Sequence, residues 1–194
     1  IHKELKKMKN YEESKHIRLM RYDFHLTTED KWSVSEVNSD VPGGFAEATL
    51  MTQKAQELFK NENYTYISFG DILAEEIKNK VKPNGTIMMV HCTCYSDDRQ
   101  VMQYLGDKLE SMNFKVIYGA ADHIRFKDNK AISILSGNEG EIDGIFRFTP
   151  LEWLKDIRPR YWEGYFDTIT PSCNHPIAIF AQTKRFPLIW DTLE

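Results

Sequence analysis

The chain has 194 residues, with 25 basic and 29 acidic side chains and a net charge of −4, so it carries no basic block of the kind that binds nucleic acid. No apolar run is long enough to span a membrane, and the first residues lack the apolar core of a signal peptide. The three cysteines are an odd number and form no disulfide framework, which predicts a reducing, cytoplasmic setting.

The first predicted element is a β-hairpin. Residues 17–26 and 32–38 alternate between apolar and polar side chains, and TEDK separates them. Pairing Thr27 with Trp32 across this four-residue turn sets the register of the two strands. One face of the first strand carries the side chains of Met20, Tyr22, Phe24 and Leu26, and this face is predicted to pack against a core.

This register concentrates charged and polar side chains on one face of the hairpin. Asp23 lies opposite Glu36, and Arg21 lies opposite Asn38. Two carboxylates at opposing positions repel each other, and a divalent cation is the simplest compensation. Two carboxylates and an amide oxygen form a hard, all-oxygen partial shell that suits Mg²⁺. The alternative is an ordinary solvated face on which Arg21 pairs with a carboxylate.

A glycine turn and two helices are predicted after the hairpin. Pro42, Gly43 and Gly44 break the chain, and apolar residues then recur with helical spacing from Phe45. The backbone N–H groups of Gly43 and Gly44 either bind an anion or simply form the turn before the helix. A second helix is predicted to begin at Asp71 and to stop before Pro83.

The middle of the chain predicts a parallel sheet. TIMMVHC is an apolar strand, residues 96–109 are an amphipathic helix, and MNFKVIYG is a second strand. Strand, helix and strand at this spacing form a βαβ unit with a right-handed crossover. AISILSG and IDGIFRF are two further strands, LEWLKDI is a short helix, and the tail from residue 175 docks on the domain or begins the next one.

Three further groups are weaker candidates for a site. The HCTC segment contains His91, Cys92 and Cys94, but no second pair completes a zinc shell, so buried strand cysteines are expected. The alternative is a nucleophilic Cys92 or Cys94 with a histidine as base, and the sequence does not select a pairing. Asp97 and Asp98 follow a parallel strand, where α/β folds bind ligands, although they also suit the first turn of a helix. His25 shares the face of Asp23, where a partly exposed strand histidine is expected.

Together, these motifs resemble the glutathionylspermidine synthase group of ATP-grasp ligases and, more distantly, glutathione synthetase. The similarity consists of R-x-D and E-x-N in the hairpin, the glycine loop followed by Glu47, IDGIFRFTPLEWL, and the tail AQTKRFPLIWDTL. It covers most of the chain from about residue 18 onward. The loop SDVPGG departs from the family pattern, so the resemblance does not identify the peptide substrate.

The resemblance implies a fold and a site. The fold is a Rossmann-like pre-ATP-grasp α/β domain with a parallel βαβ core and an N-terminal antiparallel hairpin. Asp23, Glu36 and Asn38 match the positions that hold Mg²⁺ against the ATP phosphates, and Arg21 matches the arginine that steadies the peptide carboxylate or acyl-phosphate. Glu152 in PLEW matches a position that contacts the substrate amine, although a helix-start glutamate is an equally good interpretation.

The domain division follows from these assignments. The chain is predicted to be a single domain or a fragment, with the hairpin and first helix in residues 1–60, the βαβ core in 61–165, and a tail in 166–194 that leads toward an ATP-binding half. It begins at Ile1, and no phosphate-binding glycine motif occurs in it. We therefore expect it to be part of a longer chain.

The predicted function is ATP- and Mg²⁺-dependent joining of a small peptide or amino-acid carboxylate to an amine. The remainder of an ATP-grasp chain is the expected partner, and residues 1–194 alone are expected to have little or no activity. One alternative is a non-catalytic module that binds a peptide or an anion. Another is a nucleotide-binding domain that uses the strand end near Ser96 and Asp98.

Overall fold

The central element of the fold is a four-stranded parallel sheet. The computed structural model describes residues 8–59 and 65–185 together with positions 3, 6, 188, 189 and 192. The sheet contains β3 (Thr86–Val90), β4 (Lys115–Gly119), β8 (Gly144–Arg147) and β9 (Ser172–Cys173), in the order β4-β3-β8-β9. All three neighbouring pairs are parallel. The predicted βαβ unit is confirmed, with α3 (Ser96–Ser111) between β3 and β4.

Alternating residues of β3 fill the cores on both faces of this sheet. Ile87 and Met89 face a core formed with the apolar sides of α2 (Phe69–Lys80) and α3, whereas Met88 and Val90 face a second core. Both faces of the strand are buried, which explains why its sequence is continuously apolar. Helix α2 begins two residues before the predicted Asp71, which lies in its first turn and forms an ion pair with Lys108.

Short elements cover the second face. A small antiparallel sheet contains β5 (Ile124–Lys127), β6 (Lys130–Ser133) and β7 (Gly140–Glu141). The predicted helix in LEWLKDI is α4 (Leu151–Leu154), and α5 (Ile179–Gln182) follows β9. Single 3₁₀ turns occupy Glu13–Lys15, Ala121–His123, Pro159–Tyr161, Glu163–Phe166 and Pro176–Ala178. None of the helices within the described ranges is long and apolar enough to span a membrane.

The N-terminal hairpin forms a separate sheet. It consists of β1 (Arg21–Leu26) and β2 (Trp32–Asn38), and the next helix, α1, is Phe45–Phe59. The predicted packing of its apolar face against a core is wrong for this chain, because Tyr22, Phe24 and Leu26 are 48%, 57% and 53% exposed. The α/β fold class with a parallel βαβ core and an N-terminal antiparallel hairpin is otherwise as predicted.

Candidate functional site

The strand pairing brings the predicted site residues together. Asp23 lies opposite Glu36 and Arg21 lies opposite Asn38, which is the register that the sequence predicts. Because opposing residues of an antiparallel pair project to the same side, all four side chains share one face of the hairpin. That face contacts solvent, since the side chains of Arg21 and Asp23 are 45% and 36% exposed.

A β-bulge corrects the predicted pairing nearer the turn. The register shifts between Asp23 and Phe24, so Trp32 pairs with Leu26 instead of Thr27. The additional residue is Ser35, whose hydroxyl donates a 2.9 Å hydrogen bond to the carbonyl of Asp23. A bulge adds one residue to one strand. The residues of β2 before the bulge therefore lie on the opposite side of the hairpin from the one that regular alternation would give them.

The bulge separates apolar from charged side chains. In a regular strand, Trp32 and Val34 would share a face with Glu36. Beyond the bulge they instead join Phe24 and the rest of an exposed group, the apolar strip, which consists of Tyr22, Phe24, Leu26, Trp32 and Val34. A cavity of about 370 Å³ lies beside Tyr22 and Val34 and is also lined by Met20, Ser35, Glu36, Val37, Ala181, Gln182, Thr183 and Lys184.

The charges on the site face are paired within the chain. Arg21 donates from Nε to Asp23 Oδ1 at 2.8 Å and from Nη2 to Asp23 Oδ2 at 3.1 Å. This paired hydrogen bond raises the pKa of Arg21 and lowers the pKa of Asp23. Glu36 accepts a hydrogen bond from Lys184, and Asn38 Nδ2 lies 3.4 Å from Asp23 Oδ2. The site is therefore a cluster of two carboxylates, two cations and an amide.

The donor set suits a hard cation. Asp23, Glu36 and Asn38 supply carboxylate and amide oxygens. Rotation of the Asn38 amide would exchange its nitrogen, now 3.4 Å from Asp23 Oδ2, for its oxygen, so that one cation could contact both oxygens. Within the described parts of the chain, no group of three or more His, Cys, Asp or Glu side chains is arranged to hold a metal ion. The set is thus a partial shell that phosphate and water would complete, as is usual for Mg²⁺. Its role in metal binding remains a prediction.

Lys184 is a site residue that the sequence reasoning missed. It follows α5, and its ammonium group reaches Glu36, 148 residues earlier in the chain. The tail AQTKRF enters the sequence analysis only as part of the family resemblance. Nothing in it indicates that Lys184 contacts Glu36. Two basic side chains, Arg21 and Lys184, therefore compensate the two carboxylates; the alternative prediction included the pairing of Arg21 but not that of Lys184.

A buried ion pair fixes the loop that follows β2. Asp40 pairs with Arg147 at the end of β8, and the two side chains are 2% and 0% exposed. Asp40 Oδ2 also accepts a 2.8 Å hydrogen bond from the backbone N–H of Leu151 at the start of α4. The guanidinium of Arg147 donates further bonds to the carbonyls of Thr149 and Asn174. The pair thereby links the hairpin to the parallel sheet.

Asn174 completes this junction. Its side-chain oxygen accepts from the N–H of Leu19 at 2.7 Å, just before β1. Its amide nitrogen contacts the carbonyls of Leu19, Ser39 and Asp40 at 2.8–3.0 Å. The chain is therefore held where it enters and where it leaves the hairpin. The sequence signal for this junction is an arginine inside the apolar strand IFRF, which requires a buried partner.

The two predicted glycines lie beside the site. Arg21 Nη1 donates to the carbonyl of Gly43 at 3.3 Å, so the loop contacts the site arginine. Gly44 has a φ of +89°, a backbone conformation that favours glycine over residues with a side chain. Its carbonyl accepts a hydrogen bond from the N–H of Ala48 in the first turn of α1. A role for their N–H groups in substrate binding remains a prediction.

Glu152 lies in α4 and is exposed. The preceding residue, Leu151, contacts Asp40, so α4 begins against the loop that follows β2. The structure therefore brings the segment that carries Glu152 to the loop next to the hairpin. Contact of Glu152 with a substrate amine remains a prediction.

Of the weaker candidates, His25 lies in the hairpin, whereas those in residues 91–98 follow β3. His91 is buried, its Nδ1 lies 3.4 Å from the carbonyl of Met89, and burial lowers its pKa. Asp97 and Asp98 occupy the first turn of α3. The expectation that Cys92 and Cys94 are buried strand residues is wrong, because β3 ends at Val90 and Cys94 is exposed. His25 is exposed, as expected.

Comparisons with known proteins agree with this architecture. A glutathione synthetase-like effector from Globodera pallida, solved in its apo form, matches with a TM-score of 0.69 and 12% identity. The match covers 97% of this chain and 47% of that chain, so the chain spans about half the length of this relative. No curated protein matches the sequence. The family described as glutathionylspermidine synthase pre-ATP-grasp matches residues 4–185. The chain therefore belongs to the glutathionylspermidine synthase pre-ATP-grasp family.

Proposed function

We propose that this chain provides the Mg²⁺- and carboxylate-binding half of an ATP-dependent ligase that joins a small peptide or amino-acid carboxylate to an amine. The observation that carries the proposal is the placement of Arg21, Asp23, Glu36 and Asn38 on one solvent-facing surface of the hairpin. Membership of the pre-ATP-grasp family supports it. The reducing, cytoplasmic setting predicted from the cysteines belongs to the same proposal.

The reaction has two steps. The substrate carboxylate attacks the γ-phosphorus of ATP, which gives an acyl-phosphate and ADP. The amine then attacks the acyl carbon, so that an amide forms and inorganic phosphate leaves. Phosphoryl transfer requires mainly positioning and charge neutralisation. Mg²⁺, held by Asp23, Glu36 and Asn38, would neutralise the charge of the ATP phosphates.

The paired charges indicate how Arg21 becomes available to a substrate. The guanidinium now donates two hydrogen bonds to Asp23. A cation on Asp23 would replace this attraction, which frees the planar guanidinium to bind a carboxylate or an acyl-phosphate in a paired geometry. Lys184 would be released from Glu36 in the same way. We therefore infer that metal and carboxylate bind cooperatively.

The apolar strip supports an ATP-grasp half as the partner. Trp32 is 72% exposed and Phe24 is 57% exposed, and a two-stranded hairpin alone is only marginally stable in water. An exposed apolar surface of this kind is typical of an interface. The solved relative contains about as much chain again outside the matched part. We propose that an ATP-grasp half covers the apolar strip and brings the nucleotide to the opposite face of the hairpin.

The test requires a chain that carries this domain together with an ATP-grasp half. Phosphate release from ATP should depend on both a peptide carboxylate and an amine. Asp23→Asn and Glu36→Gln should each lower the rate about 10²–10³-fold, the usual loss when a group that stabilises charge is removed. Glu29→Gln, which alters an exposed carboxylate paired with Lys31 in the turn, is the matched control and should retain full activity.

The second candidate function is a binding module without chemistry. The observation that favours it is the pairing of both site carboxylates within the chain, by Arg21 and Lys184. A binding module would take up a carboxylate or an anion at Arg21, and ATP would not be consumed. No phosphate release in the presence of all three substrates would exclude the ligase assignment. Full release in the Asp23→Asn variant would instead exclude Asp23 as a required metal ligand.

A further inference from the structure

Two cysteines lie side by side in a tight turn at the end of β3. The backbone N–H of Tyr95 donates to the carbonyl of Cys92 at 3.1 Å, which closes a turn over residues 92–95. The Sγ atoms of Cys92 and Cys94 are 3.3 Å apart. In an extended strand, residues two apart point the same way but are more widely spaced along the chain. The turn therefore creates the contact between the sulfur atoms.

The two thiols are accessible, whereas the third is not. Cys94 is exposed and Cys92 is half-buried. Cys173 in β9 is 1% exposed, and burial raises the pKa of its thiol to about 12. Reaction with small thiol reagents requires both access and the thiolate form. The chain thus carries an accessible pair and, in Cys173, a buried thiol that serves as an internal reference.

The geometry favours disulfide formation over metal binding. A structural zinc site needs four ligands, and no third or fourth His, Cys, Asp or Glu is arranged around the pair in the described parts of the chain. A disulfide instead requires the two sulfur atoms to approach from 3.3 Å to about 2.05 Å. Rotation of the two side chains, of which that of Cys94 is exposed, can supply this movement.

We propose that Cys92 and Cys94 are a dithiol modification site that low-molecular-weight disulfides oxidise to an intramolecular disulfide. The exposed Cys94 thiolate attacks the small disulfide, which gives a mixed disulfide and releases one small thiolate. Cys92 then attacks the Cys94 sulfur, so that the Cys92–Cys94 bond forms and the second small thiolate leaves. Two electrons pass to the small disulfide, and the two thiol protons pass to solvent and products.

The order of attack follows from the surroundings of each sulfur. Burial and the contact with Cys94 raise the pKa of Cys92, so its thiolate is less populated than that of an exposed cysteine. Exposed disulfides are the labile class, so the bond should form and break readily with the thiol pool. This chemistry does not depend on the ligase proposal, since neither cysteine lies on the hairpin face.

Oxidised glutathione and the reduced, folded chain provide the experiment. After incubation at pH 8, unfolding and alkylation, the wild-type protein should carry one alkyl group, on Cys173. The tryptic peptide that ends at Arg99 contains both other cysteines and should lose the mass of two hydrogen atoms. Cys92→Ser should stop as a mixed disulfide with one bound glutathione on Cys94. Cys173→Ala should oxidise at the wild-type rate.

Three results would overturn the proposal. The first is three alkylated cysteines in the treated wild-type protein, which would show that the pair does not react. The second is a wild-type protein that stops at the mixed disulfide. The third is oxidation that disappears in the Cys173→Ala variant. Far-UV circular dichroism of each variant establishes that loss of reaction does not reflect loss of fold.

Discussion

The molecule contains two arginine–carboxylate pairs that differ in burial. Arg147 and Asp40 are 0% and 2% exposed. Arg147 also donates a hydrogen bond to a backbone carbonyl, and Asp40 also accepts one from a backbone N–H. Arg21 and Asp23 are 45% and 36% exposed and lie on the hairpin face. The first pair connects elements from distant parts of the chain, whereas the second connects residues two positions apart in one strand.

This difference in burial distinguishes a pair that supports the structure from a pair that is accessible to a ligand. A buried charge that loses its partner is left unpaired at low dielectric, so the Arg147–Asp40 pair cannot exchange partners without loss of stability. An exposed pair contributes little to stability and can exchange its partner for a ligand. The buried pair therefore positions the loop after the hairpin, and the exposed pair lies on the face that we propose binds the metal and the substrate carboxylate.

The largest expected effect is on the buried pair. Asp40→Asn keeps the size of the side chain but leaves the Arg147 guanidinium without a counter-charge. Urea unfolding should show a loss of about 3–5 kcal/mol in the free energy of unfolding. Asp23→Asn is the matched control on the exposed pair and should leave the midpoint nearly unchanged. Equal losses in the two variants would contradict the distinction between the pairs.

The next effect concerns two histidines at the same junction. His16 and His175 lie with ring centroids 4.6 Å apart, and burial lowers their pKa values to about 4 and about 3. Both are neutral in the folded protein at neutral pH. As pH falls below the unfolded value of about 6.5, the unfolded state binds protons that the folded state does not, so stability decreases.

We expect the free energy of unfolding to fall by about 1–2 kcal/mol between pH 7.5 and pH 5.5, after allowance for solvent screening of the partly exposed His16. Urea unfolding at the two pH values measures this difference. His175→Gln should flatten the decrease, whereas His25→Gln, which alters an exposed histidine, should not. A stability that stays constant or rises over this range would show that the junction histidines are not held neutral by burial.

The smallest effect is expected on the apolar strip. Trp32→Ser should change the free energy of unfolding of this chain by about 0.5 kcal/mol or less, because the side chain is 72% exposed. In a chain joined to an ATP-grasp half, the same change should be clearly destabilising, because the proposed interface covers the strip. The double comparison is made by urea unfolding of both chains. Equal effects in the isolated chain and in the joined chain would contradict the proposal that the ATP-grasp half docks on the apolar strip.

The sequence predicts the fold where the pattern is local. The apolar run in β3 and the helical spacing in α3 are sufficient for the βαβ unit. The register of the hairpin near Asp23 also follows from alternation. The bulge was not predicted, although its signal is present: a regular strand would place the apolar Trp32 and Val34 beside Glu36. One additional residue resolves this conflict.

The junction could not be predicted in the same way. Asp40 and Arg147 are 107 residues apart in the chain, and Lys184 and Glu36 are 148 apart. No local period relates such positions, and only the packing of the hairpin against the sheet brings them together. The exposure of Phe24 and Leu26 was also missed, because alternation identifies an apolar face but not the segment that covers it.

The binding of a divalent cation by the hairpin face is the central claim, and paramagnetic broadening tests it directly. Mn²⁺ shares the preference of Mg²⁺ for oxygen ligands, and it broadens NMR signals of nearby amides. Titration of this chain with Mn²⁺ should broaden the amide signals of residues 21–23 and 36–38 first, and Asp23→Asn or Glu36→Gln should abolish this selectivity. Broadening that spares these residues, or that persists unchanged in both variants, would contradict a metal site on the hairpin.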